Sequence, residues 1–103
     1  MQLERIAWNE PGRPVERLLR QRLEGEGFEV LLWHDEPGTS YHSHRHDHDE
    51  ILWVVFGEIS FQIDDREYRL ATGDRLTLPA ATVHSAHSGS RGATYLIAQK
   101  KAA

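Results

Sequence analysis

Residues Gly38–Gly57 read GTSYHSHRHDHDEILWVVFG, with histidines at alternate positions 42, 44, 46 and 48 and a glutamate at 50. In an extended strand, side chains two residues apart share a face, so His44 and His46 can aim at one point. Asp47-His48-Asp49 has the polarity of a turn, and Glu50 opens the apolar run Ile51–Phe56. An antiparallel return would bring Glu50 back beside the histidine pair. Imidazole nitrogen and carboxylate oxygen are donors that borderline divalent metals accept. A fourth donor is sought from a distant strand, and His84, after the turn Pro79–Val83, is the candidate. The alternation through position 48 also permits a shifted set that includes His48.

Outward from this stretch, Ile51–Phe56 is apolar at every position, which predicts a strand covered on both faces. One face can look into a barrel. The other needs a helix or a second subunit, so a homodimer is expected. From Phe28 onward, FEVLLWH, TSYHSH, EILWVVF, EISFQI, EYRL, RLTLP, VHSAH and ATYLIA form about eight short runs rich in β-branched and aromatic residues. Turn signals at Glu36-Pro37-Gly38, Gly57, Asp64-Asp65, Gly73-Asp74, Pro79 and Ser88-Gly89 separate them. That spacing predicts an all-β sandwich or barrel. Upstream, Val15, Leu18, Leu19 and Leu23 recur at helical spacing, and Gly25 and Gly27 stop the pattern. A short amphipathic helix laid on the strands is expected.

The chain has 103 residues, enough for one domain with a modest core. Boundaries are placed at 1–27 for an N-terminal arm and helix, 28–98 for the barrel, and 99–103 for a short tail. A net charge of −4 and scattered basic residues argue against nucleic acid. Without cysteine there are no disulfides, thiolate metal sites or cysteine nucleophile. No run approaches the ~18 apolar residues of a membrane span, and the charged N-terminus does not read as a signal peptide. A cytoplasmic location is expected.

The same residues resemble the cupin family. Gly38, His44, His46, Glu50 and Gly57 match every fixed position of the first cupin motif, and Gly73, Pro79 and His84 match the second. Two positions depart, Ala81 for a glycine and Ser88 for an asparagine. The alanine is read as a turn that does without positive φ, and the serine as lying outside the ligand set. The resemblance implies a cupin-type double-stranded β-helix, a jelly-roll barrel with a short N-terminal α-helix. It also implies one divalent transition metal per chain, held by His44, His46, Glu50 and His84. Iron, manganese, nickel, zinc and copper all accept such donors. Three neutral imidazoles and a carboxylate would leave about +1 charge and two open positions on an octahedral ion.

For function, the resemblance implies a small-molecule ligand or substrate, and no catalytic residue beyond the metal set is assigned. Dioxygenase-like oxidation of a small enol or diketone stands first among enzymatic readings. Metal-dependent isomerisation or decarboxylation and non-catalytic binding as a sensor or store stand beside it. A single motif pair and a short tail speak against a two-domain enzyme or a fused DNA-binding reader. Leu52, Val54, Phe61 and Ile63 are expected to form a dry chamber. His42 is expected close behind the metal, with His48 and His87 largely solvated and His34 structural or exposed. Tyr41 and Tyr95 are read as packed aromatics with hydroxyls that a ligand could reach. Trp33 and Trp53 are expected in the core or an interface, and Trp8 as the anchor of the arm. Arg75 is weighed equally between a substrate clamp and the surface.

Overall fold

The computed structural model describes residues 1–100, and positions 101–103 of the expected tail lie outside the described residues. The order is β1 (Glu4–Ile6), α1 (Glu16–Gly25), β2 (Phe28–Asp35), β3 (Ser40–His44), β4 (Glu50–Ile63), β5 (Arg66–Leu70), β6 (Arg75–Leu78) and β7 (His84–Lys100). All strand pairs are antiparallel. The spine is the pairing of the two longest strands, β4 and β7, from Ile51↔Ala98 to Gln62↔Ser85. β6 and β5 add to successive halves of β4, and β2 and β3 to successive halves of β7. Each long strand thereby serves two walls. This is the jelly-roll arrangement expected from the sequence.

Two expected strand breaks are bends within continuous strands. Gly57 and Ser88-Gly89 read as turns, yet β4 and β7 run through them, and the register shifts at Val54/Phe56 and Gly57/Ile59. The eight expected runs therefore become six strands from Phe28 onward, with the short β1 added in the arm. The physical reason is a close crossing. Gly57 and Gly92 have φ of 84° and 74°, and a Cβ on Gly57 would lie 2.2 Å from the Gly92 carbonyl oxygen. Bulges let a ladder bend sharply without losing its partner. At its far end β7 continues to Lys100, two residues beyond the boundary expected at 98.

The apolar run of β4 is covered on both faces, as its sequence requires. Leu52, Val54, Ile59, Phe61 and Ile63 join the cluster between the sheets. Ile51 and Trp53 pack outside with Leu19, Leu23, Phe28, Leu96 and Ala98. The helix thus covers the face that had suggested a second subunit. Only part of its apolar stripe does so: Leu19 and Leu23 are buried, whereas Val15 and Leu18 are exposed. Phe56, at the bend, is also exposed and carries the Arg91 guanidinium 5.3 Å above its ring.

The arm is fastened by Asp74, which accepts from the Trp8 amide at 3.0 Å, the Ala71 amide at 2.9 Å and Arg5 at 3.1 Å. Trp8 lies against Gly73, so it is the anchor expected of it. Trp53 is buried and donates to the Gly73 carbonyl at 2.9 Å.

Gly57→Ala is expected to destabilise the fold by more than about 3 kcal/mol, because both the positive φ and the backbone contact oppose a methyl group. Denaturant unfolding monitored by circular dichroism measures this. A loss under about 1 kcal/mol would show that the crossing tolerates a side chain.

Candidate metal centre

The histidine-rich segment leaves β3 at His44, so His46 lies in the following loop and not on the strand. The rings still meet, with centroids of His44 and His46 5.0 Å apart. Loop docking replaces strand alternation as the cause. The Ala81 amide donates to the His46 carbonyl at 2.8 Å, and the Ala80 amide to Asp49 Oδ1 at 2.7 Å. These two bonds clamp the β6–β7 loop onto the histidine loop. His84 itself is the register partner of His44 in the β3–β7 pair, and its ring lies 4.3 Å from that of His44 and 5.5 Å from that of His46.

The clamp carries strain. Ala81 adopts φ 65°, so this turn does require the left-handed conformation, contrary to the expectation from its missing glycine. For a residue with a Cβ that conformation costs roughly 1–2 kcal/mol. Ala81→Gly is therefore expected to raise stability by about 1 kcal/mol, after allowing for the greater freedom of glycine in the unfolded chain. The midpoint of denaturant unfolding reports it, and a lowered midpoint would contradict the strain.

One ligand-capable atom from each of His44, His46 and His84 lies within 4.8 Å of the others. Glu50 Oε1 is 4.0 Å from His46 Nε2. Nδ1 of His44 is 2.7 Å from the His42 carbonyl, and Nδ1 of His84 is 2.9 Å from the Thr82 carbonyl. A carbonyl can only accept, so Nδ1 carries the proton in both rings and Nε2 keeps its lone pair. Backbone carbonyls orient metal-binding histidines in this way. Glu50 is nearly buried, and among the described residues the only basic side chains within 4.0 Å of its carboxylate are His46 and His48. An acidic group so placed, facing lone pairs, suits a cation. Imidazole nitrogens and a carboxylate oxygen are the donors a divalent transition ion accepts, at bonds of ~2.0–2.2 Å, so the side chains would draw closer around it.

The other histidines divide. His48 is part of the site's edge and not free in solvent: its Nε2 lies 3.4 Å from Glu50 Oε2, and it forms a second cluster with His46 and Glu50. His42 contributes its carbonyl, not its exposed imidazole. A register shift between Tyr41 and His44 upsets the alternation that had placed the His42 ring inward. His87 and His34 are exposed, as expected, and His34 Nδ1 pairs with Thr94 Oγ1 at 2.9 Å.

The cluster opens onto a chamber of about 240 Å³. Leu52, Ile59, Phe61, Ala86 and Ile97 form its apolar wall, with Leu31 and Trp33 toward solvent. Leu52 and Phe61 therefore line it as expected, while Val54 and Ile63 belong to the packed core without lining it. The volume lies below the roughly 300–1,000 Å³ of sites for drug-sized molecules. A ligand of about one ring fits. Arg75 is not in the chamber; it lies 5.0 Å over the Trp53 ring and pairs with Glu26. Ser88 is structural, accepting from the Thr39 amide at 2.9 Å and donating to the Glu36 carbonyl at 2.7 Å.

One buried group behind the chamber wall is not apparent from the sequence. Asp35, buried at 4% exposure, receives the hydroxyls of Tyr41 and Tyr95 and the indole of Trp33. In FEVLLWHDEPG it reads as the first residue of a turn. Its alternation with Leu31 and Trp33, which line the chamber's open side, was the available signal. Burial and the Asp35 carboxylate raise the pKa of both tyrosines, so their hydroxyls stay protonated and donate.

The family described as "Cupin domain" matches residues 31–98. The chain belongs to the cupin family. Quercetin 2,3-dioxygenase of Bacillus subtilis (strain 168) is 34% identical over 77 residues, covering 72% of this cupin but only 23% of that enzyme. Among solved structures, KdgF from Halomonas sp. has 22% identity and a TM-score of 0.64, covering 74% of this chain and 71% of its own. A cupin superfamily protein from Desulfitobacterium hafniense covers 97% of this chain and 79% of its own, at 19% identity and a TM-score of 0.63. DMSP lyase DddQ from Ruegeria pomeroyi has 22% identity and a TM-score of 0.65, covering 73% of this chain and 39% of its own. These three likenesses are of fold. No helix among the described residues is long and apolar enough to cross a membrane.

His84 has a pKa below the ordinary imidazole range because burial opposes the charged ring, with His44 and His46 acting in the same direction. The unfolded histidine, near ~6.5, therefore binds a proton more readily than the folded one. Its contribution to stability is present above ~6.5 and is lost as pH falls below it. For metal-free protein, the melting temperature is expected to drop between about pH 7 and pH 5, and His84→Gln to flatten the drop. Parallel curves would assign the pH response to other groups.

Proposed function

We propose that this cupin is a metal-dependent oxidoreductase acting with dioxygen on a small enol or diketone. One divalent transition ion would be held by Nε2 of His44, His46 and His84 and the carboxylate of Glu50. The observation that carries the reading is the grouping of His44, His46 and His84, two of them with Nδ1 held by a backbone carbonyl, with the nearly buried Glu50 carboxylate 4.0 Å from His46. The apolar chamber beside them and the likeness to quercetin 2,3-dioxygenase support the reaction class. When bound, such an ion supplies a Lewis-acidic centre with positions open to oxygen donors.

The chain's own residues do the rest. The Leu52–Ile59–Phe61 wall excludes water and favours a flat, weakly polar molecule. The carbonyls of His42 and Thr82 hold the rings at His44 and His84 in one tautomer. His48 steadies the second oxygen of Glu50 from the edge of the site.

Protein purified without an affinity tag should contain about one transition metal per chain by elemental analysis, lost as pH falls through ~6.5 because ligation needs neutral imidazole. His46→Ala or Glu50→Ala should remove most of it, and His48→Ala should retain it. Equal losses in all three would replace the four-residue set with one that includes His48. Anaerobically iron- or manganese-loaded protein should then take up oxygen with small enols or diketones. One tightly held ion without any turnover would favour a sensor or store.

A further inference from the structure

The histidine loop carries a second group of donors. Among the described residues two groups of three have ligand atoms within 4.8 Å of one another: His44, His46 and His84, and His46, His48 and Glu50. His46 belongs to both. Its ring centroid lies 5.0 Å from that of His44, 5.5 Å from that of His84 and 5.3 Å from that of His48. The first group lines the chamber, whereas His48 does not. Glu50 falls in the second group and not in the first.

His48 is oriented as a donor. Its Nδ1 lies 3.2 Å from Asp47 Oδ1, and a carboxylate only accepts, so that nitrogen carries the proton. Its Nε2 turns toward Glu50 Oε2 at 3.4 Å. A carboxylate behind one ring nitrogen sets the tautomer and makes the other a better ligand. The chain is pinned on either side of His48. The His46 carbonyl accepts from the Ala81 amide at 2.8 Å, and Asp49 accepts from the Ala80 amide at 2.7 Å. A nitrogen lone pair and a carboxylate oxygen that face each other both accept, so the space between them suits a cation, either a proton or a metal ion.

A neutral imidazole has a single lone pair, so His46 serves one ion at a time. The two groups are therefore alternative positions for one ion. We propose that His46, His48 and Glu50 form a second metal position on the loop, which takes a divalent transition ion through two imidazoles and a carboxylate. His46 is a ligand in either position, and His48 takes the place of His44 and His84. The proposal rests on the metal reading, because His46 and Glu50 serve both positions, and it adds His48, which that reading leaves unligated. With three donors against four, the loop position is the weaker, and the ion occupies it once the chamber group is broken.

Zn²⁺ alone tests this at about pH 8, where imidazole is neutral. His44→Ala/His84→Gln removes the two donors exclusive to the chamber, and the glutamine amide keeps a donor for the Thr82 carbonyl. Titration calorimetry should find about one Zn²⁺ per chain, bound at least tenfold more weakly than by the unaltered protein. In NMR spectra of the ring nitrogens, Zn²⁺ should shift the His48 Nε2 signal of this variant. In unaltered protein that signal should stay in place while those of His44 and His84 move. Adding His48→Ala to the double variant should abolish binding. Circular dichroism checks the fold, and His44→Ala, which removes only an exposed ring, gives the same readout if the double variant does not fold. An unmoved His48 signal in the variant that folds overturns the proposal. So does absence of Zn²⁺ binding there, affinity that survives His48→Ala, or a His48 signal that shifts with those of His44 and His84 in unaltered protein. No Zn²⁺ on the unaltered protein fails the metal reading itself, whereas binding there and none in the variant fails only the loop position.

Discussion

The close approach of Gly57 to Gly92 is the constraint on which the rest of the molecule depends. Where these backbones meet, β4 and β7 bend together and keep pairing on both sides of the bend. One ladder therefore builds two walls, with β6 and β2 on one stretch and β5 and β3 on the other. Glu50 begins one long strand and His84 the other, and Asp35 ends the strand that pairs with Ala93 at the bend. Gly92 is needed there for a second reason: a Cβ would meet the Asp35 carbonyl oxygen at 2.5 Å. Strands carrying Glu50, His84 and Asp35 are thus all positioned by one backbone crossing.

The histidine cluster relies on a different kind of contact. Its members come from segments separated by about 40 residues: strand pairing sets His44 against His84, and two short hydrogen bonds dock the loop carrying His46 onto the loop before His84. The strained φ of Ala81 accompanies that docking. Once docked, each supporting carbonyl removes one of the two ring nitrogens from competition at His44 and His84. The tautomer is set by backbone geometry before any ion arrives, which lowers the ordering that binding requires. His44, Glu50 and His84 sit at the ends of β3, β4 and β7, and His46 in the loop between β3 and β4.

The chamber's lining combines histidine donors, the tyrosines backed by Asp35 and a hydrocarbon wall. Toward the histidines lie lone pairs suited to a cation. Toward Asp35 lies a carboxylate shielded by three neutral donors. Small volume and mixed polarity restrict the ligand more than shape alone would.

Alternation of apolar residues, turn chemistry and the two histidine motifs made the all-β class, the short helix and the candidate residues His44, His46, Glu50 and His84 legible in the sequence. Such features are local, because strand periodicity and turn preference act over a few residues. Tertiary structure decided whatever depends on two distant segments meeting. Gly57 and Ser88-Gly89 look like turns until the facing strand shows that they are bends. His42 seems to point inward until a register shift turns it away, and His48 seems solvated until Glu50 is seen beside it. Asp35 looks like the start of a loop, and only the return of Tyr41 and Tyr95 on other strands supplies the donors that make its burial tolerable.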